Sequence, residues 1–225
     1  MSVEMSFSIK EALRFGWTKT KERIGFYISL LLIAVLVLGV LLILFTILSG
    51  SKSTLSQLLG WLMYILYFVV AIVIGIGIVK ISTQVIEGKQ PTIADLFSHY
   101  HYFWKYMGVS ILYMLIVYAG LILLIIPGII WAIKYQFVYY LVIDKNMGIT
   151  EAFKASKQMT AQCKGKLFWM YIVFGLISFV GILALFVGTF ITTPIVMLAY
   201  AYVYKKLLPK AQMGNATKTP SAQTA

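Results

Sequence analysis

Leu124–Gln136 reads LIIPGIIWAIKYQ. The Pro127-Gly128 pair interrupts a run that is otherwise apolar from Met107 to Ile143, and the same run holds a fixed charge, Lys134. How this stretch is read decides the fold. One helix over Gly108–Ile143 would be on the order of 55 Å long at 1.5 Å per residue, against a hydrocarbon core of about 30 Å. The run must fold back on itself. Proline lacks a backbone donor and glycine tolerates positive φ, so Pro127 and Gly128 are expected at an outer turn. Leu167–Tyr204 has the same length problem, and Gly188 is its expected turn. Phe26–Leu48 and Leu58–Val79 each suffice for one crossing, which gives six spans in three hairpins.

Composition agrees. The chain is 61% hydrophobic and 12% charged, with mean hydropathy +0.91. A soluble domain carries about twice that charged fraction. The sequence is therefore expected to be an all-α polytopic membrane bundle, a single integral domain over 1–210 followed by a polar, disordered cytoplasmic tail over 211–225. A net charge of +12 would raise nucleic acid as a partner for a soluble protein. Here the basic residues flank apolar runs while most aromatics lie inside them, so no basic-aromatic patch forms and nucleic acid is excluded. Anionic lipid headgroups fit the charge better. Cys163 is the only cysteine, so neither an intrachain disulfide nor a thiolate zinc site can be built. The first long apolar run begins near Phe26, exceeds a signal-peptide core and leads into TILSGSKS, so it reads as a retained span.

Charge placement favours six spans. With the N-terminus inside, every lysine and arginine falls in an inner segment except Lys52, in an outer loop, and Lys134, within a span. The positive-inside rule then puts both termini in the cytoplasm.

Between the spans lies a repeat. Ser8-Ile9-Lys10-Glu11, Thr92-Ile93-Ala94-Asp95 and Gly148-Ile149-Thr150-Glu151 each have a capping residue, Ile, any residue, then an acid, as in a capping box. Each copy reaches a glycine (Gly25, Gly108, Gly165) just before a span. The first and third copies agree further at Ala12/Ala152, Thr20/Thr160 and Gly25/Gly165. On a helix, Ile9, Ala12, Leu13, Gly16, Thr20 and Ile24 share one face, and Lys10, Glu11, Arg14, Thr18 and Lys21 lie opposite. The expected unit is an amphipathic helix on the inner surface plus a transmembrane hairpin, repeated over 8–82, 92–145 and 148–207.

The segment IPGIIWAIKYQFVYYLVIDKNMGITEAFKASKQMT resembles the signature of bacterial six-span proteins of the glycerophosphoryl diester phosphodiesterase membrane-domain type. Pro127, Gly128 and Ile129 are followed by Lys134 and Tyr135, then Asp144, then Glu151, Ala152, Phe153, Lys154 and Ser156. The resemblance implies a six-span fold. Some relatives append a phosphodiesterase domain to the membrane part. With only the polar stretch Ala211–Ala225 after the last span, that activity is not carried over.

Candidate chemistry is sparse. With its turn at Pro127-Gly128, Lys134 lies about 8–10 Å inside the outer end of its span. It reads either as an interfacial anchor that snorkels or as an anion- or lipid-binding site shared with Tyr135 and Gln136. All seven acids are in inner segments, so none is placed to neutralise it, and no acidic relay for proton-coupled transport exists in a span. Thr192, Thr193 and Pro194 form a candidate helix break, against a hydroxyl-satisfied proline kink. Gly75 and Gly77, with Gly175, Ser178, Gly181 and Ala184, form small-residue stripes for helix packing. Tyr135, Tyr139 and Tyr140 read as interfacial anchors. His99 and His101, two residues apart, face different sides of a helix and hold no metal. No catalytic triad, phosphate loop or paired carboxylates can be assembled, so no enzyme and no cofactor are expected. The leading expectation is a non-enzymatic membrane protein that organises or binds lipids or a partner membrane protein. The alternative is a transporter or lipid translocator with its site near Lys134 and Thr192–Pro194.

Overall fold

Ser8 opens the first helix as the capping pattern predicts: its Oγ accepts the Glu11 N–H at 3.4 Å. In the computed structural model, which describes residues 7–184 and 187–216, α1 then runs Ile9–Glu22. It is followed by α2 (Ile24–Ser49), α3 (Thr54–Ile86), α4 (Phe103–Leu123), α5 (Ile125–Tyr135), α6 (Val138–Lys145), α7 (Ile149–Thr160), α8 (Lys164–Leu183) and α9 (Thr189–Ala216). No strand occurs among the described residues. Residues 217–225 of the expected tail lie outside the described residues, and α9 continues past 211 into it.

Among the described residues, five stretches are long and apolar enough to cross a bilayer: Ile24–Ser49, Thr54–Ile86, Ile93–Leu123, Ile125–Lys145 and Lys164–Leu183. The chain is thus an all-helical membrane protein. The sixth expected span, α9, is long but less apolar, carrying Thr192, Thr193, Lys205 and Lys206. Its neighbours shield it instead of lipid, with Leu198, Ala199, Ala201, Val203, Tyr204 and Leu207 fully buried.

The three repeat starts use different halves of one device. Thr92 and Asp95 make the whole capping box, the Asp95 carboxylate accepting the Thr92 N–H at 2.7 Å. Glycine offers no side chain at 148, so there the Glu151 carboxylate alone accepts the Gly148 N–H, at 3.1 Å. The segments opened by these caps also differ. The middle copy builds no amphipathic helix but two 3-10 turns, Ile93–Leu96 and Tyr100–Tyr102. Leu96, fully buried, is pressed against α3 at Gly77, where an added Cβ would stand 2.2 Å from the Leu96 carbonyl oxygen. Only glycine permits that approach.

The 93–96 turn lies on α3, α1 lies on α9, and α7 lies across α5 and α6 and also meets α9. Neighbouring hairpins touch in the same order, α3 with α4, α5 with α8, and α9 with α2, so the contacts close into a ring. The core occupies one end of it, with Ile76, Phe137, Val138, Leu141, Met159, Leu167 and Tyr204 among its members. Toward the hairpin tips the apolar side chains are exposed, from Val35 to Leu62 in α2 and α3 and from Ile122 to Ile126 around the second turn. Lipid is the solvent that tolerates such a surface.

Polar contacts knit the core end. Lys105 Nζ donates to Asn146 Oδ1 at 2.7 Å, Arg23 Nη1 to the Pro91 carbonyl at 3.2 Å, and Tyr204 Oη to Asp144 Oδ2 at 2.9 Å. Glu87 lies 2.9 Å from Lys89 and 3.3 Å from Lys205, joining the end of α3 to α9. The hydrogen bond from Lys89 holds its carboxyl below the ordinary range, against partial burial, and Lys205 adds to the effect.

Candidate functional site

The second hairpin reverses at Leu124, a single extended residue between α4 and α5, and not at Pro127-Gly128. Pro127 and Gly128 fall in the first turn of α5, where a missing proline donor costs nothing because no intrahelical acceptor exists for it. Gly128 serves packing: an added Cβ would stand 2.8 Å from the Leu121 backbone nitrogen. This moves Lys134 ten residues from the turn, or about 15 Å of helix, deeper than the 8–10 Å expected from sequence.

The break in this arm comes next, at Gln136 and Phe137, between α5 and α6. Neither residue is a helix breaker. A hydroxyl from another element takes over the freed backbone groups: Ser156 Oγ of α7 accepts the Phe137 N–H at 3.3 Å and donates to the Lys134 carbonyl at 3.0 Å. Thr160, one turn on, places Oγ1 at 3.2 Å from the same carbonyl and 2.9 Å from the Ser156 carbonyl. Both side chains are fully buried. In hydrocarbon an unpaired backbone group costs several kcal/mol, so α7 is a structural member of the broken helix rather than a surface cover.

Around the break lies a cluster of aromatic hydroxyls. Gln136 is 4% exposed, and Tyr200 donates its hydroxyl to Gln136 Oε1. Tyr200 Oη is also 3.0 Å from Tyr171 Oη. The Tyr106 and Tyr139 rings are 5.0 Å apart, Tyr113 and Tyr139 5.7 Å, and Tyr140 and Tyr204 4.9 Å. Tyr140 is therefore a core residue and not the interfacial anchor expected, while Tyr139 is partly buried against the core. Gln136 Nε2 is buried with no partner, so one end of this amide is unsatisfied whichever way it is turned.

The three expected site residues are consecutive but do not converge. Lys134 is half-buried, its Nζ 5.1 Å from the centroid of the Tyr135 ring, and no carboxylate among the described residues pairs with it. Tyr135 packs on Phe153, with ring centroids 5.1 Å apart, while Gln136 points to Tyr200. Thr192, Thr193 and Pro194 do not break their helix, since α9 runs through them. Pro194 sits in the second turn of α9, Thr192 Oγ1 is buried without a partner, and Thr193 lines a small cavity with Leu30 and Met197. Among the expected stripes, Gly181 meets Thr192, Gly75 meets the Tyr106 hydroxyl, and Gly175 faces open space. His99 and His101 have ring centroids 6.1 Å apart, and no group of metal-binding side chains occurs among the described residues.

Sequence reasoning missed Ser156 and Thr160 as the partners of the break, and Tyr171 and Tyr200 as the partners of Gln136. A signal existed for the first pair. Ala152, Ser156 and Thr160 recur at four-residue spacing on the face that α7 buries, and hydroxyls on such a face need acceptors.

No family model matches the chain. It is 26% identical over 144 residues to uncharacterised proteins of Mycobacterium tuberculosis and Mycobacterium bovis. The match covers 64% of this chain but 44% of each relative, so the chain spans less than half the length of the curated relatives it matches. No solved structure matches.

Proposed function

We propose that the chain is a six-span, non-enzymatic protein of a bacterial cytoplasmic membrane, with both termini inside, that binds and organises anionic lipid or a partner membrane protein. The observation that carries this reading is the segregation of charge. The Lys105, Arg23, Lys205 and Lys89 contacts all lie at the end where the hairpins pack, while the opposite halves are apolar and exposed. In this reading α9 is the sixth span. The ring of contacts supports three repeated units, each laying its surface segment on the second arm of the preceding hairpin. The resemblance over 126–160 belongs to the same proposal, and its Lys134, Glu151 and Ser156 lie in the α5–α7 assembly.

Lys134, with Tyr135 and Gln136, is the candidate contact to an anion or lipid, since its charge lies deep and lacks a carboxylate partner. A second reading, a transporter or lipid translocator near Lys134 and Thr192–Pro194, draws on the broken arm and the unsatisfied Gln136 amide. Ser156 and Thr160 occupy the backbone groups of the break, and α9 is unbroken, which favours the first reading.

Topology tests it. In a Cys163→Ser background, Lys52→Cys is expected to react with an impermeant maleimide in intact cells, and Lys206→Cys only after permeabilisation. The reverse pattern overturns the orientation.

A further inference from the structure

Between α5 and α8 the hairpins leave an apolar cleft of about 480 Å³. One wall is a face of α5 made by Ile126, Ile129, Ile130 and Ile133, and the other is the start of α8, with Lys164 and Gly165 followed by Phe168. It is the size of a pocket that holds a small ligand or part of a lipid chain. The same kind of junction between α9 and α2 is closed down to about 80 Å³, with Tyr27, Leu30 and Met197 filling it. Of these two hairpin junctions, this one is left open and bears a charge in its wall.

The charge is placed to meet a headgroup. Lys164 is exposed and has no carboxylate partner among the described residues. It follows Thr160 by four residues, and Thr160 holds the Lys134 carbonyl, so chain continuity keeps Lys164 near the Ile133 end of the cleft. From there the isoleucine face runs toward the exposed tip at Ile126, over about 10 Å of helix. A single amphiphile satisfies both parts: an acyl chain for the isoleucine wall and a phosphate for the ammonium. Gly165 leaves the room, since a Cβ added there meets nothing within 4 Å.

We infer that the α5–α8 cleft is a binding site for one anionic glycerophospholipid, its acyl chain along Ile126–Ile133 and its headgroup on Lys164. This rests on the lipid-binding reading above and gives it a place. Neutral phosphatidylcholine would fill the same apolar wall but leave the lysine unpaired, so the site should discriminate by headgroup.

Native mass spectrometry of the full chain, released from nanodiscs of equal phosphatidylglycerol and phosphatidylcholine, tests it. The wild-type protein should carry bound phosphatidylglycerol in preference. Lys164→Gln should reduce that preference about fivefold, the effect of one lysine on an anionic lipid. Gly165→Leu, whose Cβ meets nothing within 4 Å and whose side chain narrows the cleft, should weaken binding while the thermal midpoint is unchanged. If both variants bind as the wild type does and Lys134→Gln does not, the cleft is wrong while lipid binding stands. If the wild type shows no preference, both readings fall. A dimer that Gly165→Leu disrupts would mean that a second copy fills the cleft, and also overturns the inference.

Discussion

α1 and α7 carry the same buried stripe in the same register and use it in opposite ways. Ala12, Gly16 and Thr20 are buried in α1, and Ala152, Ser156 and Thr160 in α7, each helix laid against the second arm of another hairpin. Where α7 has Ser156, α1 has Gly16. The arm beneath α7 is broken at Gln136-Phe137 and needs a hydroxyl, which Ser156 supplies to both the Lys134 carbonyl and the Phe137 N–H. The arm beneath α1 is α9, which runs on as helix past Ile195, so α1 comes closer instead. A Cβ added at Gly16 would stand 2.3 Å from the Ile195 carbonyl oxygen. One repeat position is thus either a hydrogen-bonding residue or a gap, according to whether the neighbouring helix is whole.

Exchanging the two solutions should expose the difference. Gly16→Ser carries the α7 residue into α1, where its Cβ meets backbone that cannot yield. α1 must then lift from α9, at a cost of about 3 kcal/mol, the upper end for overpacking. A fall in the thermal midpoint of the detergent-solubilised protein reads this. An unchanged midpoint would mean that α1 does not lie on α9. Ser156→Ala is the counterpart. It leaves the buried Phe137 N–H without its partner and the Lys134 carbonyl with Thr160 alone, at a cost of about 2 kcal/mol. Hydrogen exchange should also quicken selectively at Phe137. If exchange there is as slow as in the parent, the staple is not what closes the break.

These features were legible in the sequence to different degrees, for physical reasons. The hairpins follow from apolar run length, and the capping residues Ser8, Thr92 and Gly148 open their segments where expected, because both signals are local. The break at Gln136-Phe137 is not local. Its stability comes from Ser156, about twenty residues away, and no proline or glycine marks it. Pro127-Gly128 did carry a strong local signal, but proline suits a first helical turn as well as a loop. The true reversal at Leu124 lies among leucines and isoleucines that say nothing. Lys134 was identified from its chemistry alone, whereas its depth depended on that turn. The aromatic cluster around Gln136 draws on α4, α6, α8 and α9 and has no sequence-local trace.

The last position of the stripe gives the smallest effect and the clearest sign. Thr160 has acceptors for its hydroxyl, whereas Thr20 Oγ1 is buried with no partner. Valine has nearly the shape of threonine, so replacing either removes little except the hydroxyl. At Thr160 a made hydrogen bond is lost, and Thr160→Val should destabilise by about 1 kcal/mol. At Thr20 an unsatisfied polar group is removed from an apolar site, and Thr20→Val should stabilise by about 1 kcal/mol or less. Opposite shifts in thermal midpoint for two identical substitutions at equivalent positions could not come from helix propensity, which is the same for both. They would show that the α1 stripe keeps its threonine without an acceptor because only the α7 copy faces a broken helix. Equal shifts of the same sign would instead mean that Thr20 also hydrogen-bonds in the membrane, and that the two copies serve their neighbours alike.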